Sequence, residues 1–398
     1  MTAPEAASDV PVLTPGEEHA LLSAAARAAG ARLLHSRRRT VHHRTGRNRS
    51  VLHDAEIEVD GVRREVVLVT HVDLRGYPEG ALVLAGDDVE AAVWRFPYDP
   101  YLPGLPSAVS AVRVRELLDR LGVPEGQVRI RMRAYRPSRR GVVEVRIDGA
   151  VGGRVLYAKV LPPARARSVA RRHRQLRAAG LPVPGVVGLA RSQGILALEA
   201  LDGPTLGEAL RGTGPLPEPR DLVALSERIA VSGVHGARDP RAFADPTRHV
   251  PLLCELLPER AVELADLAAQ AVAVSGSEVG VHGDLHPGQL LLGSDGAITG
   301  VLDVDGAGQG LLAHDAGNLL AHLEVLGDLN PLIAGRVREL VAGVGDAYGE
   351  VVGRPALARA TAASWLALAT GAHRAQRPDW QVEVARRVDR AAAHLAAE

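Results

Sequence analysis

A block of short apolar segments and polar loops, residues 279–310, interrupts a second half of the chain that is otherwise helical in pattern. Its sequence is VGVHGDLHPGQLLLGSDGAITGVLDVDGAGQG. Short apolar runs bounded by turn residues predict strands. Each polar cluster follows or ends a strand, a placement in which a rigid scaffold presents loop residues for chemistry. We therefore predict that Asp284 and Asp303 lie on neighbouring loops.

The rest of the sequence predicts an α+β protein whose regions differ in periodicity. Residues 16–29 have apolar residues at helical spacing, and strand patterns with an Asp60–Gly61 hairpin turn follow them. A connector rich in proline and tyrosine at 95–107 precedes one helix and a run of antiparallel strands. From about residue 204 the pattern is mostly helical and includes one long apolar helix at 251–274.

Composition excludes several classes of partner and site. Lys+Arg and Asp+Glu each number 47, so the chain has no net charge that would attract nucleic acid or an anionic membrane. Cys254 is the single cysteine, which excludes an intrachain disulfide or a cysteine zinc cluster. The N-terminus lacks the order of a signal peptide, and no run approaches the ~20 apolar residues of a membrane helix. We expect a cytoplasmic protein that binds a small molecule.

Lys159 is the only lysine among the 47 Lys+Arg residues. One interpretation is that a GC-rich coding bias replaced the other lysines by arginine and left a single survivor. The other is that the position needs a compact ammonium group that reaches phosphate, which the wide planar guanidinium cannot replace. The surrounding VLYAKVL predicts a strand, so the side chain would point to one face of a sheet.

Asp284 and Asp303 are of the residue type that magnesium-dependent phosphate chemistry uses. Mg²⁺ prefers hard oxygen ligands, usually one or two carboxylates together with substrate phosphates. Two carboxylates on neighbouring loops could share a divalent metal and the proton of a nucleophile. Lys159, on a separate strand, would supply the cation for the phosphates.

Three segments resemble the catalytic and metal loops of the aminoglycoside phosphotransferase family: HGDLHPGQ (282–289), LDVDGAGQG (302–310) and HDAGNLL (314–320). The resemblance covers about residues 127–390. It implies a protein-kinase-like bilobal fold with a β-rich N-lobe and a helical C-lobe, preceded here by a small α+β cap domain placed like that of bacterial maltokinases. The prediction is a disordered N-terminus at residues 1–14 and a cap domain with its linker at 15–107. The N-lobe follows at 108–201 and the C-lobe at 202–398.

The resemblance also implies roles for individual residues. Asp284 would orient and deprotonate an acceptor hydroxyl, and Asp303 would bind Mg²⁺ that bridges the phosphates of ATP. The other implied metal ligands are Gln289 and Asp305. The implied ATP contacts are Lys159, Glu199 and Leu201. His282 and Asp315 are implied to be structural supports. For Asp305, a solvated loop carboxylate is an equal alternative.

The sequence departs from the family pattern in three places. Gln289 stands where the family has Asn, and Val304 stands where an aromatic residue is usual. No Asp or Glu occurs between Val160 and Leu198, so the helix lacks the glutamate that ordinarily pairs with the strand lysine. These departures put full activity in doubt.

Two basic segments accompany these departures. The helix ARARSVARRHRQLRAAG is interpreted as a solvated face, and the alternative is that Arg171, Arg172 or Arg174 contacts phosphate. YRPSRRG lacks a glycine-rich loop, so we predict that Arg139 and Arg140 cover the ATP phosphates instead.

The predicted function is ATP- and Mg-dependent phosphate transfer to a hydroxyl of a small molecule. One alternative is a pseudokinase that binds nucleotide without catalysis. Another is a metallohydrolase that uses His282, Asp284 and His286 as metal ligands, because imidazole and carboxylate suit transition metals. The segment from Pro331 to the C-terminus contains nine arginines and seven acidic residues, so it has no surplus of carboxylates to bind a polycation. We therefore predict a sugar, an amino sugar or an aminoglycoside-like alcohol as the acceptor rather than a strongly cationic aminoglycoside.

Overall fold

The structure is a computed structural model that divides into two compact units. It describes residues 10–44, 46–86, 89–123, 126–149, 153–235, 245–375 and 379–397. The first unit comprises Met1–Arg167, Val187–Leu198 and His373–Trp380, and the second comprises Ser168–Val186, Glu199–Ala372 and Gln381–Glu398. Within the described residues, no helix has both the length and the apolar character needed to cross a membrane.

The first unit starts with helix α1 (Pro15–Ala28) and an antiparallel sheet in the order β1-β2-β3-β5-β4. The strands are β1 (Arg32–Arg44), β2 (Asn48–Val59), β3 (Val62–Asp73), β4 (Leu82–Ala85) and β5 (Glu90–Arg95). Asp60 and Gly61 both have positive φ, 50° and 74°, in the hairpin between β2 and β3. This is the backbone that a two-residue Asp-Gly turn favours, and it confirms the predicted hairpin.

The apolar face of this sheet packs on α1. Thr14 caps the helix by accepting a hydrogen bond from the N–H of Glu17, whose carboxylate accepts from the N–H of Thr14. Val10 and Leu13, 1% and 5% exposed, lie in the same core, where the sequence predicts a disordered segment. Their burial explains the difference at residues 10–14, and residues 1–9 of that segment lie outside the described residues.

A second five-stranded sheet follows two helices, α2 (Leu105–Ala108) and α3 (Ala111–Arg120). Its strands, in the order β6-β7-β8-β10-β9, are β6 (Gln127–Arg136), β7 (Arg140–Asp148), β8 (Arg154–Val160), β9 (Val186–Ala190) and β10 (Ile195–Glu199). Helix α4 (Pro163–Ala178) lies between β8 and β9 in the chain. Leu156, Ala158 and Val160 of β8 face a core shared with α2 and α3, so alternate residues of β8 face the other way.

The second unit is mostly helical. Its helices after α4 are α5 (Leu206–Ala209), α6 (Pro219–Ala230), α7 (Val250–Leu256), α8 (Ala261–Ala271), α9 (Leu312–Leu329), α10 (Ala334–Val352), α11 (Arg354–Ala375) and α12 (Trp380–Ala396). The single helix predicted at 251–274 is wrong. α7 ends before Pro258, which cannot donate to a preceding carbonyl, and a 3-10 turn at Pro258–Arg260 leads into α8.

Two short two-stranded sheets lie within this helical unit. β11 (Glu278–Val281) pairs with β14 (Gly308–Leu311), and β12 (Leu290–Leu292) pairs with β13 (Ile298–Val301), both antiparallel. The predicted short strands are confirmed as β11, β12 and β13, whereas β14 lies in a segment predicted to be a loop. Their apolar residues join the core of the unit, in which Leu290 and Val301 are 0% and 1% exposed. The polar loops between the strands are thereby fixed on a buried base.

Candidate active site

The loop HGDLHPG connects β11 to β12 and is held by a buried histidine. His282 is 0% exposed, its Nδ1 accepts from the N–H of Asp284 at 3.2 Å, and its Nε2 lies 2.8 Å from the carbonyl oxygen of Leu302. Because Nδ1 is an acceptor, the neutral ring carries its proton on Nε2 and donates it to Leu302. The ring therefore joins the loop of Asp284 to the residue that precedes Asp303. Asp284 itself is half-buried.

Asp315, in the first turn of α9, anchors the same loop. Its two carboxylate oxygens accept from the N–H of His282 at 2.6 Å and from the N–H of Gly283 at 2.7 Å. Asp315 is only 2% exposed. A further bond runs from the amide of Asn318, one turn along α9, to the carbonyl of Leu285 at 2.8 Å. Helix α9 thus fixes the backbone on both sides of Asp284.

The loop after β13 carries Asp303 in an unusual backbone conformation. Asp303 has φ 52° and ψ 44°, the left-handed region, and a 3-10 turn at Val304–Gly306 follows it. A non-glycine residue there costs roughly 1 kcal/mol or more and persists only where the surroundings impose it, which is most common at functional sites. The carbonyl of Gln289 accepts from the N–H of Leu302 at 2.7 Å, and Val304 is 1% exposed. The half-buried Asp303 therefore sits between two fixed neighbours.

Asp305 is 6% exposed, so it is not the solvated loop carboxylate of the alternative interpretation. Its burial follows from the 3-10 turn, which brings it inward together with Val304. The sequence could not decide this point, because a short loop with three glycines near its end has no periodicity from which burial can be predicted.

Gln289, the residue in place of the family's Asn, contacts His286. Gln289 Nε2 lies 2.9 Å from His286 Nε2, while His286 Nδ1 accepts from the N–H of Gly288 at 3.1 Å. The side-chain amide of Gln289 is thus held against the His286 ring in this conformation.

The three residues of the HxDxH motif do not assemble a metal site. His282 uses both ring nitrogens in bonds to the backbone of Asp284 and Leu302, and the His286 ring stacks on His322 with 4.7 Å between centroids. In the part of the chain that the structure describes, no group of three or more His, Cys, Asp or Glu side chains is placed to hold a metal ion. The metallohydrolase interpretation therefore lacks its ligand set.

Helix α4 contributes Arg172, which the sequence names only as one of three arginines that are alternatives to a solvated face. Arg172 is half-buried, and its Nη1 donates to the carbonyl oxygen of Asp305 at 2.7 Å. Arg171 and Arg174, its neighbours on the helix, are exposed. The interpretation of α4 as a solvated face thus holds for these two residues and is wrong for Arg172. No local signal distinguishes the three arginines, because the contact joins segments 133 residues apart.

The same helix is tied to the segment predicted to bind adenine. Arg177 of α4 donates to a carboxylate oxygen of Glu199 at 3.1 Å and to the carbonyl of Val183 at 3.2 Å. The N–H of Glu199 donates to the carbonyl of Gly185 at 2.9 Å. His173 is 1% exposed and its Nδ1 lies 2.9 Å from the carbonyl oxygen of Pro184. These contacts fix α4 along residues 183–185.

In the first unit, Lys159 lies on β8 and is 6% exposed. It is paired with Val142 of β7, and directly opposed residues share a face of the sheet. Arg140, two residues from Val142 on β7, lies on that same face. The core side chains of β8 occupy the other face. The sheet thus presents Lys159 and Arg140 on one side.

The turn between β6 and β7 is held by a buried carboxylate that sequence reasoning missed. The N–H of Arg139 donates to the carbonyl of Arg136 at 3.1 Å, and Ser138 has φ 58°. Asp99, 1% exposed, accepts from the N–H of Ser138 and from the hydroxyl of Tyr135, each at 2.9 Å. Burial raises the pKa of Asp99, against the effect of these hydrogen bonds. The contacts of Asp99 span 36 and 39 residues, so no sequence pattern predicts them.

Several guanidinium groups surround this turn. Burial lowers the pKa of Arg139 to about 9, and neighbouring positive charges lower it further in the same direction; these charges belong to Arg44, Arg136, Arg165 and Arg140. Like charges held close together repel, and a bound anion relieves that repulsion. The turn therefore has the charge expected of a phosphate-binding segment.

The family comparison adds to this geometry. The sequence model of the phosphotransferase enzyme family, APH, matches residues 146–362, more than half of the chain. The chain belongs to this family. It is therefore a small-molecule kinase, which phosphorylates hydroxyl groups, and the predicted protein-kinase-like α+β fold is confirmed. No curated protein has a sequence that matches the chain.

Solved structures similar to this phosphotransferase have low sequence identity. Spectinomycin phosphotransferase in complex with ADP and spectinomycin is 14% identical over 72% of this chain and 98% of its own, with a TM-score of 0.47. An aminoglycoside phosphotransferase from Streptomyces rimosus, in complex with ADP and streptomycin, is 18% identical over 65% and 100%, with a TM-score of 0.41. Amicoumacin kinase in complex with AMP-PNP and Ca²⁺ is 15% identical over 70% and 94%, with a TM-score of 0.47.

Proposed function

We propose that this phosphotransferase uses ATP and Mg²⁺ to phosphorylate a hydroxyl group of a small molecule. The observation that carries the proposal is the joining of two carboxylate loops in the second unit. His282 binds the loop of Asp284 to Leu302, next to Asp303, and Asp315 anchors the first loop on α9. Phosphoryl transfer depends mainly on positioning and charge stabilisation, so two rigidly held carboxylates are the essential protein contribution.

Asp284 and Asp303 would have different roles. Asp284 is half-buried with its backbone fixed, and in this role it orients the acceptor hydroxyl and takes its proton. Asp303 and Asp305 supply carboxylate oxygens, the donor type that fits Mg²⁺. Magnesium, when bound, would neutralise charge on the nucleotide phosphates. Gln289 would join through its amide oxygen, on a side chain whose amide nitrogen contacts His286.

In the first unit, Lys159, Arg139 and Arg140 would bind the ATP phosphates. The shared face of Lys159 and Arg140 on the second sheet and the concentration of guanidinium groups at the β6–β7 turn both support this role. Arginine forks can donate to phosphate oxygens where glycine amides do so in other kinases. Asp99 would preserve the turn that presents Arg139.

Glu199 and Leu201 would recognise the adenine base. The N–H of Glu199 is donated to Gly185, so the contacts to the base would come from the carbonyl of Glu199 and the N–H of Leu201. The carboxylate of Glu199 is paired with Arg177 and would not take part. For the acceptor we propose a sugar, an amino sugar or a related aminoglycoside-like alcohol, in line with the modest excess of arginine over acidic residues after Pro331.

A second candidate is a pseudokinase that binds nucleotide without transfer. The contact between Gln289 and His286 favours it, because it ties the side chain in the metal-ligand position to His286. The absence of any acidic residue between Val160 and Leu198 favours it as well, since the helix then lacks the glutamate that the family pattern has there. The retention of both Asp284 and Asp303 supports the active enzyme.

The test compares Asp284→Asn with Asp295→Asn. Asp295 is an exposed carboxylate on the turn between β12 and β13, so it controls for the same chemical change nearby. ATP consumption would be measured with a panel of sugars, amino sugars and aminoglycosides, and Mg-nucleotide binding by calorimetry. We expect Asp284→Asn to lower turnover about 10³-fold with nucleotide affinity unchanged, because only proton transfer and acceptor orientation are lost. Asp295→Asn should match the unmodified enzyme.

Full turnover in Asp284→Asn would contradict the role of Asp284. Tight Mg-nucleotide binding by the unmodified protein with no turnover on any acceptor would favour the pseudokinase. A protein that binds no nucleotide, with or without Mg²⁺, would exclude both candidates.

A further inference from the structure

Helix α4, which contains no Asp or Glu, contacts the loop that carries Asp303. The contact is the hydrogen bond from Arg172 Nη1 to the carbonyl oxygen of Asp305, 2.7 Å long and partly buried. It is a charge-assisted bond between the helix and the backbone two residues after Asp303. The guanidinium thus acts on the loop conformation rather than on its carboxylates.

The position of this bond matters because Asp303 is in the left-handed region. Such a conformation needs support on both sides. On the N-terminal side, Leu302 donates to the carbonyl of Gln289 and accepts from His282. On the C-terminal side, Val304 is buried, its carbonyl accepts from the N–H of Ala307 at 3.0 Å, and Arg172 holds the carbonyl of Asp305. Arg172 provides a long-range polar support on that side.

Helix α4 is itself rigidly placed, so it can transmit this support. His173, next to Arg172, is 1% exposed and bonds to Pro184, and Arg177 bonds to Val183 and Glu199. Val169 and Leu176 on the same side of the helix are 0% and 1% exposed. The guanidinium of Arg172 therefore extends from a fixed base.

We propose that Arg172 is a positioning residue for magnesium binding. By holding the carbonyl of Asp305, it keeps Asp303 in the left-handed conformation in which its carboxylate is presented to the metal. The link between α4 and the metal loop then runs from an arginine to a backbone carbonyl, without a helix glutamate. This inference rests on the proposed function, since it requires that Asp303 binds Mg²⁺.

The proposal predicts different effects on nucleotide binding with and without Mg²⁺. Loss of Arg172 should weaken the dependence of nucleotide binding on Mg²⁺, because partners that orient a metal ligand typically contribute 10–100-fold to metal affinity. Nucleotide binding without Mg²⁺ should stay unchanged, because the adenine and phosphate contacts proposed above do not involve Arg172. A helix that acted only through its positive charge would show the same loss at every arginine.

The experiment uses Arg172→Met, which keeps an unbranched apolar stem and the helix propensity but removes the guanidinium and every donor. Arg172→Lys keeps the charge with a single donor group. The matched controls are Arg171→Met and Arg174→Met, exposed arginines of the same helix. Two quantities would be measured in the full chain: the Mg²⁺ concentration that gives half of the maximal ADP binding, and the hydrogen exchange of the Ala307 amide without ligand.

We expect Arg172→Met to raise the half-maximal Mg²⁺ concentration about tenfold and to speed exchange at Ala307, with Arg172→Lys in between. The two controls should stay within about twofold of the unmodified chain, which is the scatter expected of exposed substitutions. Circular dichroism and thermal unfolding would show whether a variant is folded, and Arg172→Lys would decide the question if Arg172→Met does not fold.

Unchanged Mg²⁺ dependence and unchanged exchange in folded Arg172 variants would overturn the inference. Equal losses in all three methionine variants would also overturn it, since they would indicate a general effect of helix charge. Failure of the proposed function is distinguishable, because the unmodified chain would then show no Mg²⁺-dependent nucleotide binding at all. In that case the inference falls with it, whatever the exchange at Ala307.

Discussion

His314 lies in the first turn of α9, directly before Asp315, and burial lowers its pKa to about 4. The neutral ring is therefore favoured in the folded state, whereas in the unfolded chain the pKa is near the ordinary 6.5. A histidine with a depressed pKa contributes stability that is complete above pH 6.5 and is lost as the pH falls towards 4. The buried anchor of the catalytic loop is thus placed next to an acid-sensitive residue.

We predict that His314→Gln reduces the acid sensitivity of folding. Between pH 7 and pH 5, protonation of His314 should lower the free energy of unfolding by about 2 kcal/mol in the unmodified chain, because the unfolded state binds the proton more readily. Denaturant unfolding at several pH values would measure this, with His19→Gln, a change at an exposed histidine of α1, as the control. Parallel pH profiles for His314→Gln and the unmodified chain would show that the prediction is wrong.

At the scale of single residues, the sequence supplied the identity of the loop carboxylates but not their surroundings. The sequence leaves two roles for Asp305, a metal ligand or a solvated loop carboxylate, and its 6% exposure excludes the solvated carboxylate. Arg171, Arg172 and Arg174 are equivalent in the sequence, whereas only Arg172 is placed by the structure against the loop of Asp305. The difference depends on which side of α4 is buried, and an arginine-rich helix has little apolar periodicity from which to predict that.

At the scale of elements, the packing of α9 against α11 depends on a glycine of the HDAGNLL motif. A Cβ at Gly317 would lie 2.5 Å from the backbone carbon of Ala360 and 2.5 Å from the backbone nitrogen of Thr361. Backbone atoms cannot move aside as a flexible side chain can, so the two helices would have to separate. Separation would also shift Asp315 and Asn318, the two anchors of the catalytic loop.

Gly317→Ala should therefore lower the free energy of unfolding by about 1–3 kcal/mol, the range typical of overpacking. Gly345→Ala in α10 is the matched control, because a Cβ at Gly345 would have no described atom within 4 Å and alanine is the better helix former. It should raise stability by up to about 1 kcal/mol. Chemical denaturation of both variants measures the difference, and equal effects of the two substitutions would refute the close helix contact.

The elements themselves were largely predictable from local patterns. Alternation of apolar residues and the Asp-Gly turn predicted β2, β3 and their hairpin, and turn residues between short apolar runs predicted β11, β12 and β13. The predicted helix at 251–274 failed at Pro258, where apolar spacing on both sides suggested continuity and the missing amide of proline ended it. The spacing of apolar residues contains no information about a backbone hydrogen bond that a proline cannot make.

At the scale of the whole molecule, the proposed activity predicts a stability that depends on ligand. A nucleotide that binds only the folded chain at a hundred times its dissociation constant stabilises it by about 2.7 kcal/mol. If Asp303 holds magnesium, this stabilisation should need Mg²⁺ and should be lost on chelation with EDTA. Thermal unfolding with ATP, in the presence and absence of Mg²⁺, measures it directly.

Asp303→Ala should abolish the magnesium-dependent part of this shift, and Asp295→Asn should retain it, because only the first change removes a carboxylate of the metal loop. An Asp303→Ala variant with the same Mg²⁺-dependent shift as the unmodified chain would place the metal elsewhere. Residue 303 has a left-handed backbone, which glycine adopts without strain. Asp303→Gly should therefore keep or raise the stability of the protein without ligand, whereas Asp303→Ala should not raise it.

The sequence by itself determined the α+β class, the hairpin of β2 and β3, the short strands β11, β12 and β13, and the two polar loops that carry Asp284 and Asp303. These follow from residues close together in the chain, through periodicity, turn chemistry and motif spacing. Only the tertiary structure decided that Arg172 supports the metal loop, that His286 engages Gln289, that Asp99 holds the β6–β7 turn and that Asp305 is buried. Each of these depends on the surroundings created by packing, and the bond of Arg172 joins segments 133 residues apart, beyond the reach of any local pattern.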